Sequence, residues 1–171
     1  ISEWDEFLNR NTGEDTCAMI INWVKEGSVA LILIEDFEVD RMLKIDNREV
    51  KIRKMNGLTF VARDRNESIT KGFGAKDFSF WYNKNKDYID IIADRFIETD
   101  QDGFSILLFT YQKPRFSEQA RGEKQKLPIA GFTKLGKGKL VITTLRTDGF
   151  AGVNPVLDRF LMRIICNEDK N

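Results

Sequence analysis

Residues 29–34 read Val-Ala-Leu-Ile-Leu-Ile, six apolar side chains in a row with no polar residue among them. A strand with one wet face alternates apolar and polar residues. Unbroken apolarity needs cover on both faces, which helices packed on a parallel sheet supply. The stretch therefore predicts a central strand of a parallel sheet. Before it, Cys17, Ile20, Ile21 and Val24 recur at helical spacing, Glu14 and Asp15 sit at that helix's positive end, and Gly27 stops it. Farther upstream, Ser2 is placed to cap a short helix bearing Trp4, Phe7 and Leu8, which Asn11-Thr12-Gly13 ends. Glu35 and Asp36 close the strand, and residues 37–45 have the pattern of another short helix.

Parallel neighbours are joined through helical crossovers, so a helix feeding a buried parallel strand normally has an earlier strand before it. None is readable. Either that strand belongs upstream of Ile1, in a longer product, or the edge it would cover is exposed. Beyond residue 45, β character dominates. Residues 50–55, 58–63, 88–97, 104–112, 127–135 and 139–145 are expected strands, separated by Gly, Asn, Asp and Pro signals, with a polar surface loop at 113–126. Gly136-Lys137-Gly138 joins the last two as an antiparallel hairpin. The last element is a helix with Asn154 as cap, Pro155 in the first turn, and Val156, Leu157, Phe160, Leu161, Ile164 and Ile165 along one stripe. Repeats, low-complexity stretches and internal linkers are absent from the sequence, so residues 1–171 read as one α/β domain. At this length roughly 70% of the unfolded surface can be buried.

Composition removes several functions. Lys plus Arg equals Asp plus Glu at 27 each, leaving no net field to gather nucleic acid or an acidic membrane. The basic run at 41–54 is interrupted by Asp46 and Glu49 and reads as a solvated face. The apolar run at 29–34 is far short of the roughly 18 residues of a membrane span, and no signal peptide is recognisable. Cys17 and Cys166 fall on apolar helix stripes, where a thiol packs as a small hydrophobe. Histidine does not occur. Ser-His-Asp and Cys-His chemistry is thereby ruled out within the chain, and a zinc site would need carboxylates alone. Glu98 to Gly103 imitates the opening of a calcium loop, but Phe109 stands where the closing Glu belongs, so a plain turn is expected. No carboxylate spacing singles out a glycosidase pair, and neither Gly72-Phe73-Gly74 nor Gly136-Lys137-Gly138 extends into a nucleotide fingerprint. No catalytic residue, metal or cofactor is expected.

Residues 76–82 (KDFSFWY), 135–165 (LGKGKLVITTLRTDGFAGVNPVLDRFLMRII) and 12–35 (TGEDTCAMIINWVKEGSVALILIE) resemble the C-terminal amidotransferase-like domain of some family 2 glycoside hydrolases. The resemblance implies a flavodoxin-like, class I glutamine amidotransferase-like three-layer sandwich: a mostly parallel sheet with an added antiparallel hairpin. It implies a secreted or periplasmic, β-galactosidase-like parent whose catalytic carboxylates lie on a separate barrel. An active amidotransferase needs an elbow cysteine and a histidine, and the chain offers neither.

Two candidate contact sites follow. Open α/β sheets bind ligands at the carboxyl ends of parallel strands, which here are Glu35-Asp36 and Arg146-Thr147-Asp148. The aromatic stretch 78–82 offers flat rings to a sugar or a neighbouring domain. Regular alternation would put Phe78, Phe80 and Tyr82 on one side and Trp81 on the other, and Trp81 and Tyr82 are the expected contact residues. The leading expectation is a noncatalytic accessory domain that packs against other domains of its parent enzyme or builds a homo-oligomer. A carbohydrate-binding module is the alternative, and a small enzyme using carboxylates alone comes third.

Overall fold

The computed structural model describes residues 11–35, 41–45, 48–99, 103–111 and 125–166, the side chains of 11–17 and 41–48 excepted. Helix α1 (Asn11–Glu26) runs into β1 (Val29–Leu33), followed by β2 (Arg41–Ile45), β3 (Arg48–Leu58) and β4 (Ala62–Arg63). After a 3-10 turn at Ser68–Thr70 come β5 (Tyr82–Asn83), β6 (Tyr88–Ile89), β7 (Ala93–Thr99), β8 (Phe104–Tyr111), β9 (Lys126–Leu135), β10 (Gly138–Thr143) and helix α2 (Pro155–Ile165). Among the described residues these form a five-stranded sheet of order β1-β10-β9-β8-β4, a three-stranded sheet β2-β3-β7 and the small hairpin β5-β6.

This architecture overturns the mostly parallel, flavodoxin-like sandwich. Among the described residues β1 and β10 make the one parallel pair, and the other strand pairings are antiparallel. The apolar run is nevertheless covered on both faces. Val29 and Leu31 pack with Leu157, Phe160 and Ile164 of α2, whereas Ala30 and Ile32 pack with Val24 of α1. What local sequence does not carry is position: among the described residues β1 is an edge strand, not a central one. Its partner β10 reaches it only through the long antiparallel meander.

Further expectations change: the strand expected at 88–97 is broken into β6 and β7, and that expected at 58–63 is divided between the end of β3 and β4. Residues 41–45 form β2, not a helix, because they pair with β3 (Leu43 opposite Val50), a partner invisible to local periodicity; residues 37–40 lie outside the described residues. Asn11-Thr12-Gly13 lies inside α1 and terminates nothing, and the expected helix at 2–8 is outside the described residues. The β9–β10 hairpin forms as expected, Leu135 opposite Gly138. So does α2: the Asn154 side chain accepts from the N–H groups of Val156 and Leu157, with Pro155 in the first turn.

The five-stranded sheet divides two cores. On one face, α2 and the segment around 69–81 bury a chain of rings. Phe78 lies 5.1 Å from Phe73 and 5.5 Å from Phe160, and Trp81 lies 5.5 Å from Phe150 between centroids. On the other, α1 and the three-stranded sheet bury Val24, Val50, Ile52 and Ile97 against Leu135, Leu140 and Ile142. Strand alternation decides the sharing, since Val141 serves the first core while its neighbours Leu140 and Ile142 serve the second.

Candidate functional site

The parallel register of β1 and β10 brings their carboxyl ends side by side, Leu33 opposite Thr143. Glu35, just beyond β1, accepts hydrogen bonds from the backbone N–H of Thr147 (3.0 Å) and from its hydroxyl. Arg146 and Asp148 flank that threonine, so the two strand ends expected to meet do meet. Asp36 lies outside the described residues. The contact is a structural clasp: a half-buried carboxylate is used to fix the loop that leaves β10.

The same loop is held from the other side by β5. Asn83, 1% exposed, donates through Nδ2 to Asp90 (3.0 Å) and to the Asp148 carbonyl (3.4 Å), and its Oδ1 accepts from Asn85 N–H. Asp90, itself buried, also accepts from Lys86 Nζ at 2.7 Å and from the Ile91 N–H at 2.8 Å. Burial pushes the Asp90 carboxyl up, but the Lys86 ammonium, the Ile91 N–H and the Asn83 amide outweigh it and hold the group below its usual range. The hydrogen bond to Asp90 raises Lys86 in turn. Gly149 follows at φ +72°, in the left-handed region glycine favours, with Asn83 against it so closely that a Cβ would overlap the amide.

The aromatic stretch is not regularly extended. Phe78 and Trp81, three apart, both enter the core at 1% and 3% exposure, and the Trp81 indole N–H donates to the Asp77 carbonyl at 2.7 Å. Trp81 is therefore not the contact ring expected of it. The chain manages this by putting Phe80 at φ +55°, which breaks the two-residue period and turns the Phe80 ring outward, 65% exposed. Tyr82 is half-exposed, with its hydroxyl donating to Asp87, whose carboxylate raises the phenol above its usual value. Phe60, Tyr88 and Ile89 are also about half-exposed. These residues come from a single ribbon: Phe60 bridges Ser79, Tyr82 pairs Ile89, and Asp90 N–H donates to the Trp81 carbonyl.

Sequence reading reached Glu35, Arg146, Asp148 and Tyr82, and it missed Asn83, Lys86, Asp90, Thr147 and Phe80. The Asn-Lys-Asn-Lys-Asp run at 83–87 signals a turn, but nothing local says that Asn83 and Asp90 face inward. Cys166 is exposed at the end of α2 and does not pack as a small hydrophobe, while the Cys17 side chain is outside the described set. Elsewhere, a cleft of about 360 Å³ opens between β7, β8 and β9, bounded by Phe96, Phe104, Ile106 and Pro128 together with Glu98 and Lys126. Among the described residues no three acidic or cysteine side chains are grouped to hold a metal ion, and no helix is long and apolar enough to cross a membrane. Comparison of the chain with family models, curated proteins and solved structures finds no match.

Proposed function

We propose that this chain works by contact, as a noncatalytic accessory domain of a family 2, β-galactosidase-like glycoside hydrolase. One observation carries the reading: the Glu35 carboxylate at the strand ends and the buried Asp90 carboxylate are engaged in holding loops, while apolar rings are held out to solvent. Glu35 is engaged by Thr147, and Asp90 by Lys86, Asn83 and its own backbone neighbour. A general acid or nucleophile needs a carboxyl aimed into a cleft at a substrate; these are aimed at the protein. Phe80 and Tyr82, by contrast, stand on a ribbon pinned through Asn83 and Trp81. Exposed apolar surface on a braced element suits docking against a neighbouring domain.

The reading is tested on the gene and on the protein. The reading frame containing this chain is expected to encode a barrel enzyme, and the purified chain is expected to leave aryl glycosides intact at neutral pH. An isolated frame, or turnover that survives repurification and is lost in Glu35→Gln, overturns it.

A second reading, a carbohydrate-binding module, draws on the same rings, since exposed Phe80 and Tyr82, the latter hydrogen-bonded to Asp87, can stack on a pyranose while polar neighbours meet its hydroxyls. Oligosaccharide titration of the tyrosine NMR signals separates the two. Saturable binding lost in Tyr82→Ala supports the module, and unchanged spectra support the docking domain.

A further inference from the structure

We propose that a second copy of this chain pairs along the open edge of β1, joining two five-stranded sheets into one continuous sheet across a two-fold axis. The backbone sets the terms. Ile34 N–H donates to Thr143 and Ser28 accepts from Lys139 N–H, so the even-numbered residues of this stretch direct their polar groups toward β10. Val29, Leu31 and Leu33 therefore direct N–H and C=O outward, and no described group meets them.

Edge strands are ordinarily defended by charge, proline, bulges or shortness. Among the described residues the other outer strands of the two larger sheets are: β4 is two residues long and carries Arg63, β2 reads Arg-Met-Leu-Lys-Ile, and β7 carries Asp94, Arg95 and Glu98. β1 reads Val-Ala-Leu-Ile-Leu and pairs with β10 without a register shift. It carries none of those defences.

The edge is also complementary to itself. With Leu31 on the two-fold axis, an antiparallel partner puts Leu31 opposite Leu31 and Val29 opposite Leu33. In an antiparallel ladder all three are then hydrogen-bonded pairs, which satisfies every outward group on both strands. No charge meets a like charge, as would happen if β2 paired with itself. An axis normal to the sheet keeps each helix on its own face, so α1 meets α1 and α2 meets α2.

Both helices present apolar side chains there. The Lys25 carbonyl of α1 rests on the β9–β10 turn, accepting from Lys137 N–H, and half-exposed Met19 and Trp23 lie roughly 120–160° around the helix from it. On α2, Arg159 and Arg163 stack over Phe73, leaving Leu161 and exposed Ile165 on the opposite flank, while Leu33 of the strand is 40% exposed. A strand edge bordered by apolar helix flanks is the usual make-up of a sheet-extending interface.

Sedimentation of the 171-residue chain tests this. The expected mass is twice 19.8 kDa, falling to the single value in Leu33→Lys and in Trp23→Glu, both at exposed positions. A wild type that stays single up to about 100 µM overturns the proposal, as does a dimer that both variants leave intact. Should Leu33→Lys fail to fold, hydrogen exchange of the Leu31 amide decides: it is expected to slow as the wild type is concentrated, and concentration-independent exchange refutes the pairing. The proposal stands apart from the accessory-domain reading, because a single-copy result removes the dimer and leaves the tests on the gene and on turnover untouched.

Discussion

Gly149→Ala puts the loop after β10 under two separable loads. At φ +72° an alanine pays for a left-handed backbone, about 1 kcal/mol. Its Cβ also overlaps the Asn83 amide. A flexible surface side chain would swing away cheaply, but Asn83 is 1% exposed and tied to Asp90 and to the Asp148 carbonyl. Moving it leaves buried polar groups unpaired, at about 1–3 kcal/mol. The sum is about 2–4 kcal/mol, a large part of the 5–15 kcal/mol typical of a domain, and corresponds to a fall in Tm of roughly 5–15 °C. Gly152 is the control: it has φ +74° and nothing within 4 Å of a Cβ, so Gly152→Ala carries the backbone load alone. Urea unfolding followed by circular dichroism, with m-values compared, reads all the variants. In an Asn83→Ala background the cost of Gly149→Ala is expected to fall to that of Gly152→Ala. Equal costs for the two glycines in the wild-type background refute the claim that the Asn83 clasp is rigid.

Other outcomes are expected. Asp90 titrates below its ordinary value of 3.8 in the folded protein, so its pairing contributes stability above that pH and loses it as pH falls through the lower folded value. Acid unfolding followed by tryptophan fluorescence should show this loss below pH 3.8, and Asp90→Asn should flatten that limb. Asn154→Ala removes the acceptor for two N–H groups at the start of α2 and should cost about 1 kcal/mol in denaturant unfolding. Phe160→Ala empties the centre of the ring cluster, where Phe160 is 0% exposed, and should cost about 3–5 kcal/mol. Cys166 is exposed and should be labelled by a thiol reagent without prior unfolding.

The parts legible in sequence were those whose physics is local. The α2 cap at Asn154 and Pro155, the β9–β10 turn, and the two-sided cover implied by residues 29–34 all follow from neighbours a few positions apart. The parts missed depend on distant partners. β2 looked helical because β3 is not visible from inside residues 41–45, and β1 looked central because apolarity reports how many faces are covered, not how many edges are paired. At the candidate site, adjacency of Glu35 to Thr147 followed once the two strands were assumed parallel. The inward turn of Asn83 and the outward turn of Phe80 depend on one backbone angle, φ +55° at residue 80, that no residue pattern announces.

The parallel pairing of Val29 with Lys139 spans 110 positions of chain. The antiparallel hairpin β9–β10 closes across a two-residue turn and needs no such search. Loop-closure entropy therefore orders assembly, with the β8–β10 meander forming early and the α1–β1 unit docking afterwards onto a finished β10 edge. Until it docks, the exposed side of β10 is itself a sticky strand, so nascent chains should be most prone to aggregate in that interval.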